Sequence, residues 1–165
     1  MKTRMTTGVG DDAASTLYGD VSQAHRQTRV WVTRRFRESP ERVFDAWLDP
    51  YTAGHWLFAT APRPMLVVSI DARAGGAFRF ARRADGGATY VGHYLEVIRP
   101  RRLVFTVSGV QRAHDVARVC VEIVPLKSGC ELRLMQDNVP LNDTDHTEGR
   151  WDGQLYGLAA MLDKS

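Results

Sequence analysis

Histidine, serine and cysteine are the side chains of this sequence that could carry out catalysis or hold a metal, and their spacing decides how far either reading goes. His25, His55, His93, His114 and His146 are widely separated. Neither a paired-cysteine motif nor the His-Glu-x-x-His pattern of a zinc helix is present, and His114-Asp115 and Asp143-Thr144-Asp145-His146 read as polar turns. No metal and no cofactor is therefore expected. Ser69, Ser108 and Cys120 carry no local signature of an activated nucleophile, so no catalytic residue is assigned. His93 alternates with Val91 and Leu95 and is expected on their apolar side of a strand. A neutral imidazole there needs hydrogen-bond partners, and beside a ligand it could act as acid or base. His55, next to Trp56, is a second, weaker candidate of this kind.

The elements that must position these groups can be read from length and patterning. The chain of 165 residues is long enough for one sizeable core and too short to suggest two domains. Its net charge of +3 comes from 22 basic and 19 acidic residues, and the arginines are scattered along strands and turns. A nucleic-acid partner is not expected without a basic face or a readable module. No apolar run is long enough to cross a bilayer and the first twenty or so residues lack a secretory core, so no membrane insertion and a cytoplasmic location are expected. Cys120 and Cys130 flank the turn at Lys127-Ser128-Gly129; in a regular hairpin Cys120 lies nearer Met135 than Cys130, which predicts free thiols.

Residues 1–25 are poor in large apolar groups and read as a flexible leader. Alternation of Val30, Val32 and Arg34 with Trp31, Thr33 and Arg35 predicts a strand over Thr28 to Phe36. Ser39-Pro40-Glu41 supplies an N-cap, a first-turn proline and an acid for a helix carrying Val43, Phe44, Trp47 and Leu48, which Asp49-Pro50 ends. A short helical turn follows near Thr52 to Trp56. Six further strands are predicted at Met65 to Asp71, Ala77 to Arg83, Ala88 to Ile98, Arg101 to Ser108, Asp115 to Pro125 and Cys130 to Asp137, with Asp85-Gly86-Gly87 as a hairpin turn. Short connections make the sheet antiparallel, and its apolar face must be covered.

The cover is a long last helix, capped by Asp145 with Glu148 three residues on. Trp151, Leu155, Leu158, Ala159 and Leu162 form its apolar stripe. Gly149, Gly153, Gly157 and Ala160 lie opposite. Glycine within a helix gives up about 1 kcal/mol relative to alanine, so this bare face is expected to admit another backbone, that of the leader or of a second copy in a homodimer.

Several segments together resemble a known family. Ser39 to Pro50 with Trp56, Asp71-Ala72-Arg73-Ala74-Gly75-Gly76-Ala77-Phe78, Gly92 to Ile98, Arg101 to Thr106 and Gly149-Arg150-Trp151 occur in the order and spacing of bacterial relatives of the C-terminal domain of the Hsp90 ATPase activator. That family lies within the START-like, or Bet v 1-like, superfamily (SRPBCC). The resemblance spans Arg26 to Leu162 and implies an α+β helix-grip fold: a curved antiparallel sheet of about seven strands around a long C-terminal helix, with two short helices after the first strand. Residues 26–165 are then a single domain of this kind. The resemblance also implies a space between sheet and helix that often takes an apolar or amphipathic ligand.

In such a fold Trp47, Trp56, Phe78, Phe80, Tyr90, Tyr94, Phe105 and Trp151 would converge, with Tyr94, His93 or Arg79 as the polar groups of a binding site. Buried aromatics contribute roughly 1.5 to 3 kcal/mol each to an ordinary core, so most need no ligand to explain them. Phe44, Trp56, Phe80, His93, Phe105, Trp151 and Leu155 are the candidates for lining a cavity or filling a core. The expected function is non-enzymatic binding of a small hydrophobic or amphipathic ligand. The alternatives are a cyclase-like or dehydratase-like enzyme with a pocket acid or base, and an interaction module with a chaperone as partner.

Overall fold

The computed structural model describes residues 26–59, 63–83, 89–109 and 115–164. Strand β1 (Gln27–Phe36) leads into helices α1 (Pro40–Leu48) and α2 (Pro50–Trp56), then strands β2 (Val67–Ile70), β3 (Ala77–Ala81), β4 (Thr89–Ile98), β5 (Arg102–Gly109), β6 (Ala117–Pro125) and β7 (Cys130–Pro140), and finally helix α3 (Thr144–Asp163). The strands form one seven-stranded sheet in the order β1-β7-β6-β5-β4-β3-β2, antiparallel at every pairing. This is the expected α+β helix-grip architecture. The expected leader and the Asp85-Gly86-Gly87 turn lie outside the described residues, as do His25 and His114.

Local chemistry accounts for each boundary near the interior. The Ser39 hydroxyl accepts from the Arg42 N–H at 3.3 Å, and Pro40 opens α1 with its φ already helical. Asp49 closes α1 and caps α2, its carboxylate accepting from both the Thr52 N–H (2.9 Å) and hydroxyl (2.7 Å). These bonds hold the Asp49 carboxyl below its usual pKa. The segment from Asp71 to Gly76 is a tight turn: Gly75 has φ +86°, and a Cβ on Gly76 would lie 2.0 Å from the Asp71 carbonyl oxygen.

Alternation sets the inner face. Val30, Val32 and Phe36 of β1 are buried while Trp31 is exposed, and Ala117, Val119, Val121 and Ile123 of β6 are buried opposite Leu132 and Leu134 of β7. Between Thr28 and Val30 the β1/β7 register shifts, with one extra residue on β7 where Asn138 has φ 58°. The bulge lets both Gln136 and Val139 turn inward although they are three residues apart. Cys120 pairs with Met135, as the hairpin geometry predicts, and both cysteines are free. Burial pushes the Cys130 thiol up to about 11.

Two expectations are corrected. Helix α3 starts at Thr144 with Asp143 at its N-cap, two residues before the expected Asp145, because the chain turns through a single 3-10 turn at Leu141–Asp143. No capping box forms; the Thr147 hydroxyl donates to the Asp143 carboxylate at 3.4 Å, and Asp145 lies in the first turn, where the helix dipole favours an acid. On β4 the inward set is Tyr90, Gly92 and Tyr94, so His93 and Leu95 are exposed. The reason is Gly92: a Cβ there would sit 2.5 Å from the Phe78 ring, which covers the bare backbone and supplies the apolar surface that the glycine lacks.

Candidate functional site

Helix α1 packs near β6 and α2 near β2, and between them their aromatic rings meet those of β3, β4 and β5. The Trp47 ring meets Trp56 edge-on at 4.6 Å and lies 6.1 Å from Phe105 and 6.3 Å from Trp151. Below it, Phe78 makes edge contacts with Phe80 (5.7 Å) and Phe105 (5.7 Å) and a tilted one with Tyr94 (5.3 Å). Such edge and tilted pairs add roughly 0.5 to 1.5 kcal/mol each beyond area burial. Phe58, just past the end of α2, inserts its ring among Phe78, Phe80, Tyr90 and Trp151.

A small internal space lies within this nest, lined by Trp47, Leu57, Phe78, Phe80, Tyr94, Leu103 and Phe105. Its volume is about 10 Å³, on the order of room for one water. The three inward tryptophans differ in how their indole N–H groups are satisfied. Trp56 Nε1 donates to the Ala46 carbonyl at 3.0 Å and Trp151 Nε1 to Gln136 Oε1 at 2.6 Å. Trp47 Nε1 is buried without a hydrogen-bond partner. Burial holds the Tyr94 phenol well above its usual pKa, so it remains a neutral donor.

Of the residues expected from sequence, Phe80 and Phe105 line this space. Phe44, Trp56, Trp151 and Leu155 are buried in the surrounding core. His93 is on the outer face of the sheet, where its backbone N–H donates to the Thr106 hydroxyl at 3.2 Å, so the structure removes it from the interior. His55 is exposed as well, its Nδ1 2.8 Å from the Tyr51 carbonyl. Sequence reasoning missed Leu57, Phe58 and Leu103. The signal for Phe58 was an aromatic placed directly after the helix end, outside any periodic pattern.

A wider depression of about 340 Å³ is an open trough elsewhere, lined by residues including Gln27, Thr106, Arg118, Asp137 and Asn138. Its polar groups are already engaged: Asp137 accepts from the Arg118 N–H at 2.7 Å and Asn138 donates to the Val116 carbonyl at 2.7 Å. The smaller aromatic space, with its unpaired donor, is the better candidate site. Among the described residues no group of three or more His, Cys, Asp or Glu side chains is placed to hold a metal ion. No described helix is long and apolar enough to cross a membrane.

Solved structures share this fold. Protein CV1439 from Chromobacterium violaceum is 28% identical, covering 81% of this chain and 96% of its own, with a TM-score of 0.70. PFC0360w, an HSP90 activator from Plasmodium falciparum, is 21% identical over 82% of this chain and 96% of its own, with a TM-score of 0.66, a likeness of fold alone. DynU16, from the dynemicin biosynthetic locus, matches at 17% identity and a TM-score of 0.67, over 82% of this chain and 47% of its own. No curated protein matches the sequence. The family model for "Activator of Hsp90 ATPase homolog 1-like protein" matches residues 37–163, which spans α1 to the end of α3. The chain therefore belongs to the family of activator of Hsp90 ATPase homolog 1-like proteins, within the SRPBCC superfamily.

Proposed function

We propose that this protein binds a small hydrophobic or amphipathic ligand, without transforming it, in the aromatic nest where α1 and the end of α2 meet the sheet. The observation that carries the reading is that Trp47, whose buried Nε1 has no hydrogen-bond partner, is one of the residues lining an internal space. Leaving a buried donor unpaired costs about 1 to 3 kcal/mol, which an acceptor atom of a ligand would recover. The remaining walls are apolar or aromatic and supply transfer free energy. None of the seven lining residues is a histidine or carboxylate. That favours binding over the proton-transfer chemistry of a cyclase-like or dehydratase-like enzyme.

Because the space holds about one water, a ligand must displace side chains on entering. Titrating fatty acids, aromatic acids and isoprenoids into the purified chain, read by tryptophan fluorescence and native mass spectrometry, tests the reading. Saturable quenching with a mass shift of one ligand is the expected result. Failure of every class, together with a crystal structure whose interior stays filled, would overturn it.

A further inference from the structure

We infer that Phe58 is a resident plug, its ring standing where the site takes the planar ring of an uncharged aromatic molecule bearing a hydrogen-bond acceptor. The inference rests on the ligand-binding reading above. Phe58 has φ 60°, a left-handed backbone that is a true outlier for a bulky side chain and persists only where surroundings enforce it. Here the enforcement is visible. Its N–H donates to Gln154 Oε1 at 2.8 Å, and its ring stacks on Tyr90 at 4.8 Å with planes 13° apart. Phe80 and Trp151 meet the same ring edge-on at 5.3 Å and 6.4 Å. Phe78 lies nearly parallel to it as well, at 6.3 Å and 17°; two near-parallel rings and two edges make a slot for a planar ring, not for a branched or puckered one.

Phe58 also lies on the outer side of the nest. Its side chain and that of Tyr90 are only half-buried, whereas Phe78, Phe80 and Trp151 are buried. It follows Leu57, the C-cap of α2, whose N–H is bonded to the Ala53 carbonyl, so Phe58 can rotate without unwinding that helix. Beyond its ring, Phe78 and Phe80 are shared walls with the internal space that Trp47 lines. Withdrawing Phe58 joins the slot to that space and frees Gln154 Oε1 as a polar atom beside the Trp47 indole and the Tyr94 phenol. The joined site offers an indole donor and no cation among its lining residues, which selects an uncharged acceptor such as a ketone or ester over a carboxylate. Return of Phe58 to an unstrained backbone offsets part of the cost of opening.

Acetylnaphthalene, naphthalene and decanone are the probes, titrated into the full chain with tryptophan fluorescence as readout. Acetylnaphthalene is expected to bind at least about tenfold more tightly than decanone, and Phe58→Ala to tighten it by about a further tenfold, since the closed form no longer competes. Trp47→Phe is expected to abolish the preference for acetylnaphthalene over naphthalene. In the unaltered chain, nuclear Overhauser contacts should pass from Phe58–Tyr90 to probe–Tyr90 and probe–Trp151 on binding, a readout independent of how well any variant folds. Phe58–Tyr90 contacts that persist in the bound state, or an unchanged affinity in a folded Phe58→Ala, overturn the plug while leaving ligand binding intact. Failure of these probes and of fatty acids and isoprenoids alike overturns the binding reading itself.

Discussion

The two halves of the interior are built from different materials. Where α3 packs on β1 and β7, the core is aliphatic: Val30, Val32, Leu132, Leu134, Leu155 and Leu158 are all buried, and none carries a side-chain polar atom. Where the rings of α1 and α2 meet those of β3 to β5, the core is aromatic: Trp47, Trp56, Phe78, Phe80, Tyr94 and Phe105. Aliphatic side chains interdigitate without leaving polar groups to satisfy. Rigid rings and indole N–H groups leave gaps and obligations. The unpaired Trp47 donor, the internal space and the left-handed Phe58 all fall in the aromatic half. One half holds the fold; the other has room to change state.

The largest expected effect belongs to the aliphatic half. Leu134 has no exposed surface and faces Val32 across β1 and Val121 across β6, so Leu134→Ala should destabilise the chain by about 3 kcal/mol. Phe58→Ala removes a larger side chain yet should cost less than that. It is only half-buried, so less of its surface is withdrawn from water, and alanine keeps the Cβ and with it the same backbone at φ 60°. Urea midpoints of the two variants measure the contrast. A Phe58→Ala cost equal to or above that of Leu134→Ala would break the comparison, because the aromatic half would then be as tightly specified as the aliphatic one.

A smaller effect separates two tryptophans, Trp47 of the aromatic half and Trp151, which α3 sets against β7. Trp151→Phe leaves Gln136 Oε1 buried without its 2.6 Å donor, whereas Trp47→Phe removes a donor that has no acceptor. The two changes delete the same atoms from residues of equal burial. Trp151→Phe is therefore expected to cost about 1 to 2 kcal/mol more than Trp47→Phe, the desolvation penalty of an orphaned amide oxygen. Equal costs in denaturant titrations would mean that Trp47 is bonded in solution, with a water in the internal space as its partner.

What the sequence made legible follows from where side chains speak for themselves. The seven strands, the Ser39 cap, the stop at Asp49-Pro50 and the inward stripe of α3 were all visible, because alternation, capping chemistry and helical period are local signals. The face of β4 was not visible. Its pattern turns on Gly92, whose inward position is filled by a ring from the neighbouring strand, a fact of tertiary packing that no window of β4 contains. His93 was assigned to the interior for that reason alone. The β7 bulge at Asn138, which turns Val139 inward, was hidden in the same way. Phe58 belongs to no periodic element, so its place in the nest depends on the end of α2, on β3, on β4 and on α3 at once.

The smallest effect concerns the outer side of the helix whose inner side grips the aliphatic half. A Cβ added at Gly149, Gly153 or Gly157 would meet nothing within 4 Å among the described residues. No contact among the described residues therefore requires glycine there, and the expected approach of another backbone needs the leader or a second copy to supply it. Gly153→Ala should stabilise the chain by about 1 kcal/mol through helix propensity and leave its sedimentation unchanged. The leucine positions four and three residues apart on the inner side would then be what holds α3 in place, with the outer side merely tolerant. A loss of stability, or a fall in sedimentation coefficient, would instead put a second backbone against the glycines and make α3 a helix gripped on both sides.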